Sequence, residues 1–484
     1  MVEKSLASAH LKSDGVIVVV KKDCPTCVLI EPVLRQIAGK ADVSIYCQDD
    51  SAWPHGLEVM DDEDLAVSWS LSLETVPAVV QLKAGQEIDR LYGWDKKAWE
   101  TLFQTAFSGM DTKFRPGCAS KTLDPGMPDR LALKYGDGVF ASRVIEIGSD
   151  EDEMEACFDR GWSDGLPLVP PTEIRVLRML SGTTREPHDI IGKVPPDYAD
   201  CTIEKIAVNA VMAGCKPEYL PVVIASVEGA LEDEFCMHGL LATTYFSGPM
   251  IIVNGPMAKA IGMNARGNAL GQGNRANATI GRALQLVIRN VGGGKPQGVD
   301  RAALGNPGKY TFCFAEDEAG SCWESYAEEQ GYRKDQSTVT LFAADGVQGI
   351  VDQKSRTPDS LCRSFAAGLR VASHPKMVMA ADAFLVVSPE HERVFRAAGW
   401  SKAAVKERLE ALLQIPGKEL VRGAGGIEEG LPEKMADGIY PKFRPGGLNI
   451  VRAGGSAGLF SAIIAGWGAS GKTGSVPVTR EIKQ

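Results

Sequence analysis

The chain has 484 residues, of which 44% are apolar and 24% charged. This is the balance of a globular protein of about two to four domains, and it excludes collagen-like, coiled-coil and disordered classes. With 52 basic against 62 acidic residues, a net charge of −10 and no long basic run, nucleic acid is not an expected partner.

In chain order, Met1 to Lys22 carries Glu3, Lys4, Lys12 and Asp14 around the apolar run Val16–Val20, which is too short for a signal peptide. Eleven cysteines without an export signal point to a reducing, cytoplasmic location. The longest uncharged stretch, Ala453 to Gly471, is broken by six glycines and makes a poor membrane span, so no membrane partner is expected. Residues 15–107 alternate strand and helix patterns: a buried strand Gly15–Lys21, a helix Pro25–Ala38, a strand Val43–Cys47, a helix Asp61–Trp69, a hairpin of Ala78–Lys83 with Glu87–Tyr92, and a helix Lys96–Phe107. The loop-rich stretch 108–138, with Pro116, Pro125 and Pro128, reads as a linker.

From 139 to 484 the pattern is that of one large α/β catalytic region of about two lobes. Helical periodicity is found at Ile203–Met212, Leu220–Leu231, Ala276–Val291, Leu361–Val371 and Lys402–Leu413. Strand-like runs fall at Met250–Val253, Tyr310–Phe314, Thr338–Phe342 and Phe384–Val387. Two echoes hint at duplication: Lys113 to Gly117 recurs as Lys442 to Gly446, and Gly161 to Ser163 as Gly399 to Ser401.

Cys24-Pro25-Thr26-Cys27 stands between a buried strand and an apolar helix. Cys24 at the helix start is the nucleophilic thiol, because free N–H groups and the helix dipole lower its pKa, and Cys27 one turn on is the resolving thiol. The competing reading is half a zinc site, but no second cysteine pair follows at suitable spacing in this domain.

These residues resemble the thioredoxin family over roughly residues 12–107. The CxxC motif is followed by Pro32 in the helix, Thr75-Val76-Pro77 precedes a hairpin, and Gly85 and Gly93 fall at the hairpin turn and after the last strand. The resemblance implies a thioredoxin-like fold, a redox-active disulfide and a role for Pro77 as the substrate-facing cis-proline. Asp23 stands where the family usually has Trp, and Val18 where many members keep a buried acid. Those departures favour a dedicated partner, such as the rest of this chain, over a general-purpose role.

Three features of the large region carry candidate chemistry. Cys236 and His238, two apart in Cys236-Met237-His238-Gly239, are the residues to share a metal or form a thiolate–imidazolium pair, with Cys215 as a further thiol; the alternative is that the cysteines are buried fillers. The glycine-rich loop from Gly262 to Asn277 opens a long helix, and Arg266, Asn268, Gly271, Gly273, Arg275 and Asn277 are expected to bind a carboxylate or phosphate there. Gly466 to Thr473 fits the P-loop pattern, yet Pro477 and the short remaining sequence leave no helix to follow it, so nucleotide binding is not expected. The segment Arg452 to Gly458 reads as a second anion cradle leading into an apolar helix. Cys118, after Pro116-Gly117, is an accessible thiol placed to receive electrons, ahead of Cys215 and Cys236.

The resulting expectation is a thiol-dependent redox enzyme. Its front domain supplies reducing equivalents or a thiol relay to a fused catalytic domain acting on a small anionic substrate, with an external thiol reductant as a further partner. The alternatives are a cysteine-dependent lyase or transferase acting on a carbon–sulfur or carbon–metalloid bond, and a non-enzymatic docking or chaperone module.

Overall fold

The computed structural model describes residues 13–40, 42–136, 140–148, 150–468 and 476–483. It is a mixed α/β protein that divides into two compact units, Met1–Val139 and Phe140–Gln484. Among the described residues no helix is long and apolar enough to cross a membrane. The first residues of the segment read above for a signal peptide, and most of the P-loop-like motif, lie outside the described residues.

The first unit is built from β1 (Gly15–Val20), α1 (Pro25–Leu29), α2 (Glu31–Ile37), β2 (Val43–Cys47), β3 (Met60–Asp61), α3 (Ala66–Ser70), β4 (Thr75–Val76), β5 (Ala78–Lys83), β6 (Gln86–Tyr92), β7 (Trp94–Asp95), α4 (Lys96–Phe103), β8 (Phe114–Arg115), β9 (Cys118–Ala119) and α5 (Met127–Tyr135). Its five-stranded sheet has the order β3-β2-β1-β5-β6, with β1 parallel to β2 and antiparallel to β5. Central β1 is buried from Val16 to Val20, which explains its unbroken apolar run: a strand covered on both faces does not alternate. The helix expected over 25–38 is split at Ile30. Pro32 lacks an N–H and its ring opposes continuous helix, so it sits instead in the first turn of α2.

The stretch expected to be a linker is part of this unit. β8 pairs with β7, β9 pairs with β4, and the Trp94 indole donates to the Thr112 carbonyl (2.7 Å). Pro116 separates the two short pairings and Pro128 lies in the first turn of α5, so a loop-like composition conceals ordered chain.

The second unit comprises α6 (Glu153–Asp159), α7 (Glu173–Leu180), β10 (Ile190–Val194), β11 (Ala199–Thr202), α8 (Ile203–Ala213), α9 (Leu220–Ala230), α10 (Met237–Ala242), β12 (Gly248–Asn254), α11 (Pro256–Ala260), α12 (Arg275–Asn290), β13 (Cys313–Ala315), α13 (Tyr326–Glu329), β14 (Thr338–Ala344), β15 (Gln348–Val351), α14 (Pro358–Arg370), β16 (Ala383–Val387), α15 (Pro389–Ala397), α16 (Lys402–Leu412), β17 (Gln414–Pro416), β18 (Ile439–Pro441), β19 (Leu448–Arg452), β20 (Phe460–Ala465) and β21 (Val478–Glu481). Two four-stranded sheets dominate, β13-β12-β14-β21 and β15-β20-β16-β19. Met250 and Ile252 of β12 and Phe342 of β14 meet Phe384 and Val386 of β16 and Ile464 of β20 in one core, with the Phe342 and Phe384 rings 5.0 Å apart. The opposite face of β16 and β20 packs on α14, α15 and α16 through Leu385, Ile463, Phe365, Phe395 and Leu409. The outer face of β12 and β14 is covered by α9 and α12. Rather than separate lobes, the two sheets therefore stack on a shared core with helices outside each.

The sheets repeat one topology: β12 and β16 each pair in parallel with a later strand, β13 or β19, and antiparallel with another, β14 or β20. The sequence echoes do not mark this repeat. Lys113 is exposed in the first unit, whereas Lys442 is buried and donates to the carbonyls of Ala372, His374 and Met377 at 2.7–2.9 Å. The apolar helix expected after Gly458 is strand β20, whose Ile463 and Ile464 face opposite cores.

Candidate functional site

In the first unit the sequence places Cys24 as the N-cap of α1, in extended backbone conformation. The Cys27 N–H donates to the Cys24 sulfur at 3.3 Å, and that sulfur lies 3.7 Å from the Val76 carbonyl oxygen. The Val76–Pro77 peptide is cis, and Pro77 follows directly on β4. Cys118, the expected accessible acceptor, is opposite Val76 in the β4–β9 pairing, the residue whose carbonyl oxygen lies beside the Cys24 sulfur. Three cysteines thus share one cluster, where the sequence pointed to a pair and a distant acceptor.

The cluster is arranged to hold one negative charge. Hydrogen bonds from the Cys27 thiol, the Cys118 thiol and the N–H groups of Cys27 and Thr26 lower the Cys24 pKa to about 5, overcoming the opposing effect of burial. Burial pushes Cys27 well above the ordinary thiol range, and the neighbouring Cys24 thiolate adds to the effect. Cys118 is also raised, by burial first and by Cys24 second. In the reduced full-length protein, iodoacetamide labelling of Cys24 should therefore rise with pH through a midpoint near 5 and level off by pH 7. A midpoint near 8.5 would show that the thiolate is not stabilised.

The second-unit candidates separate. Cys215 is fully buried, donates to the Thr279 carbonyl (3.4 Å) and is pushed up to about 12 by desolvation, which removes it as a nucleophile. Cys236 has φ 55° and precedes α10, while His238 turns to the Tyr198 hydroxyl at 2.8 Å. No hydrogen bond or ion pair links Cys236 to His238. Among the described residues, no group of three or more His, Cys, Asp and Glu is set to hold a metal ion. His391, near the start of α15, is buried, with its ring nitrogens at Ser461 Oγ (2.7 Å) and the Asp352 carbonyl (3.0 Å).

The glycine-rich loop is held largely by its own amides. Asn277 accepts from the Asn264 N–H (3.0 Å) and donates to the Asn264 and Ala269 carbonyls, while the Asn274 side chain caps the Asn277 N–H. The start of α12 is thereby capped from within rather than left open for an anion. Arg275 donates to the Gly214 carbonyl at the C-terminus of α8, a favourable place for a cation, and Asn268 donates to Gln272 O. A side chain at Gly271 would run into Asn268, whereas Gly273 has φ 111° with open space beside it. Of the expected ligands, only Arg266 reaches a charged partner beyond the loop, Asp317 Oδ1 at 3.8 Å.

That contact leads to a cluster the sequence did not assemble, beyond the carboxyl ends of β12, β13, β16 and β19. Arg452 ends β19; its guanidinium pairs with Asp317, and its Nε lies 2.8 Å from Glu392. Glu392 also accepts from Ser321 Oγ (2.7 Å) and the Cys322 N–H (2.8 Å). Cys322 is exposed, and Arg396 nearby donates to the Gly320 carbonyl (2.8 Å) and pairs with Glu392 (3.3 Å). The Gly454 N–H donates to Ala265 O (3.0 Å), so the two glycine-rich segments meet here. Strand carboxyl ends are where open α/β sheets bind ligands. In sequence the signals were the Arg452–Gly458 segment, read as an anion cradle, and the acidic run from Glu316 to Glu318 after a strand; nothing tied one to the other or to Glu392, and Arg452 pairs with those carboxylates instead. Compared with known protein families and curated proteins, the chain matches no family model and no curated sequence.

Proposed function

We propose that the first unit is a thioredoxin-like thiol–disulfide exchange module, with Cys24 as nucleophile and Cys27 as resolving thiol, and that it serves chemistry on a small anionic substrate in the second unit. The observation that carries this reading is the placement of the Cys24 sulfur at the start of α1, where it accepts from the Cys27 N–H and lies beside the cis Val76–Pro77 peptide. The β3-β2-β1-β5-β6 order, with the CxxC segment after the central strand, supports the fold assignment. For the second unit, the support is the arginine–carboxylate cluster with exposed Arg266 and Cys322 at the strand ends. Fusion raises the effective concentration of one unit for the other to the order of millimolar if the connection is flexible.

The lyase or transferase alternative needs Cys215 and Cys236 as a working pair, and the burial of Cys215 gives it no support. Redox titration of the full chain with reduced and oxidised dithiothreitol tests the main reading. We expect two thiols to be lost together and peptide mapping to find Cys24 in the disulfide. Retention of all eleven thiols under oxidising conditions would overturn it.

A further inference from the structure

The Cys24 sulfur should be the most exposed atom of an exchange module, yet Cys24 is only 1% exposed. What covers it is the chain itself. The segment 112–122 is stitched across the site: Thr26 Oγ1 donates to the Pro116 carbonyl (2.7 Å), Lys21 Nζ to the Ala119 carbonyl (2.9 Å), and the Ser120 N–H to the Glu74 carbonyl (2.9 Å). β9 runs antiparallel to β4 with Cys118 opposite Val76. Gly117 makes the approach close: a Cβ there would meet the Thr75 side chain and lie 2.7 Å from the Val76 carbonyl oxygen. An extended, cysteine-bearing segment thus occupies the face where Cys24 must meet a disulfide.

We propose that Cys118 is a third redox cysteine, forming a disulfide with Cys24 in which β9 stands in the place of a substrate strand. The inference rests on the exchange reading above. In the oxidised protein, the Cys118 thiolate attacks Cys24 Sγ of the Cys24–Cys27 disulfide; the Cys24–Cys118 bond forms, Cys27 leaves as a thiolate and takes up a proton, and no net electrons move. An outside partner reaches Cys24 only after β9 leaves β4, so the segment makes exchange selective for partners able to displace it.

The test uses the full chain with oxidised glutathione as oxidant. In Cys27→Ser, Cys24 displaces one glutathione thiolate and Cys118 then displaces the second. We expect an internal Cys24–Cys118 disulfide by peptide mapping, with little glutathione retained. In Cys27→Ser/Cys118→Ser the adduct on Cys24 should persist. Gly117→Ala, which forces β9 outward, should raise the labelling rate of Cys24 at least about tenfold. Persistent glutathionylation of Cys24 in Cys27→Ser with Cys118 free would overturn this inference and leave the exchange reading standing. No disulfide at Cys24 in any variant would remove both.

Discussion

Cys24→Ser is expected to reduce dithiothreitol-driven reduction of insulin by the full chain to the uncatalysed background. A serine hydroxyl is not ionised near neutral pH, so no nucleophile remains at the start of α1. At pH 7, a pKa near 5 raises the thiolate fraction about thirtyfold over a thiol titrating near 8.5. The same shift lowers intrinsic nucleophilicity by a comparable factor, since reactivity follows basicity with a slope of about 0.4–0.5. The two nearly cancel on attack, and turnover then depends on resolution, in which a second thiol attacks Cys24 Sγ, the insulin thiolate departs and Cys24 stays bound in the new internal disulfide. The resolving side should therefore be as sensitive as the nucleophile. Cys27→Ser/Cys118→Ser should react once and stop as a mixed disulfide with insulin, whereas Cys24→Ser should form none. Turnover by Cys24→Ser comparable with the unaltered chain would show that another thiol carries the reaction.

Arg452→Ala should cost the second unit about 3–5 kcal/mol, the range for removing one partner of a buried ion pair. The Arg452 side chain is 8% exposed, and its partners Asp317 and Glu392 are 7% and 1% exposed. Truncation would leave two carboxylates sharing a dry site with fewer donors. Glu392 would keep Ser321 Oγ and the Cys322 N–H, but Asp317 would lose its close guanidinium. Arg452→Lys should rescue only part of the loss, because one ammonium cannot span both carboxylates as a planar fork does. Arg266→Ala is the control: its side chain is 72% exposed and 3.8 Å from Asp317, so its effect should stay below about 1 kcal/mol. Urea unfolding monitored on the second unit would read all three. Equal, small shifts for Arg452→Ala and Arg266→Ala would show that the cluster is solvated.

Local chemistry was legible wherever it was written in adjacent residues. The apolar runs from Val16 to Val20, Met250 to Val253 and Phe384 to Val387 announced strands buried on both faces, because covering both sides of a strand leaves no polar alternation. The Cys24-to-Cys27 spacing specified one helical turn from an N-cap, and hence which sulfur is favoured as thiolate. Arg275 and Asn277 looked like ligands because Gly, Asn and Arg compose both anion cradles and self-capped loops. Composition does not separate these, and the direction of each amide does.

The sequence by itself determined the mixed α/β class, the placement of the CxxC pair at a helix start and the periodicity of the main helices, since each depends on contacts within a few residues. Only the tertiary structure decided that the proline-rich stretch returns to lay Cys118 against Cys24, 94 residues apart in the chain. It also decided that two sheets of like topology share one core, and that Arg452 closes on Asp317 and Glu392. Those placements depend on strand pairing and on sheet stacking, where partners are chosen by the burial of whole faces. No local window of sequence contains both sides of such a choice.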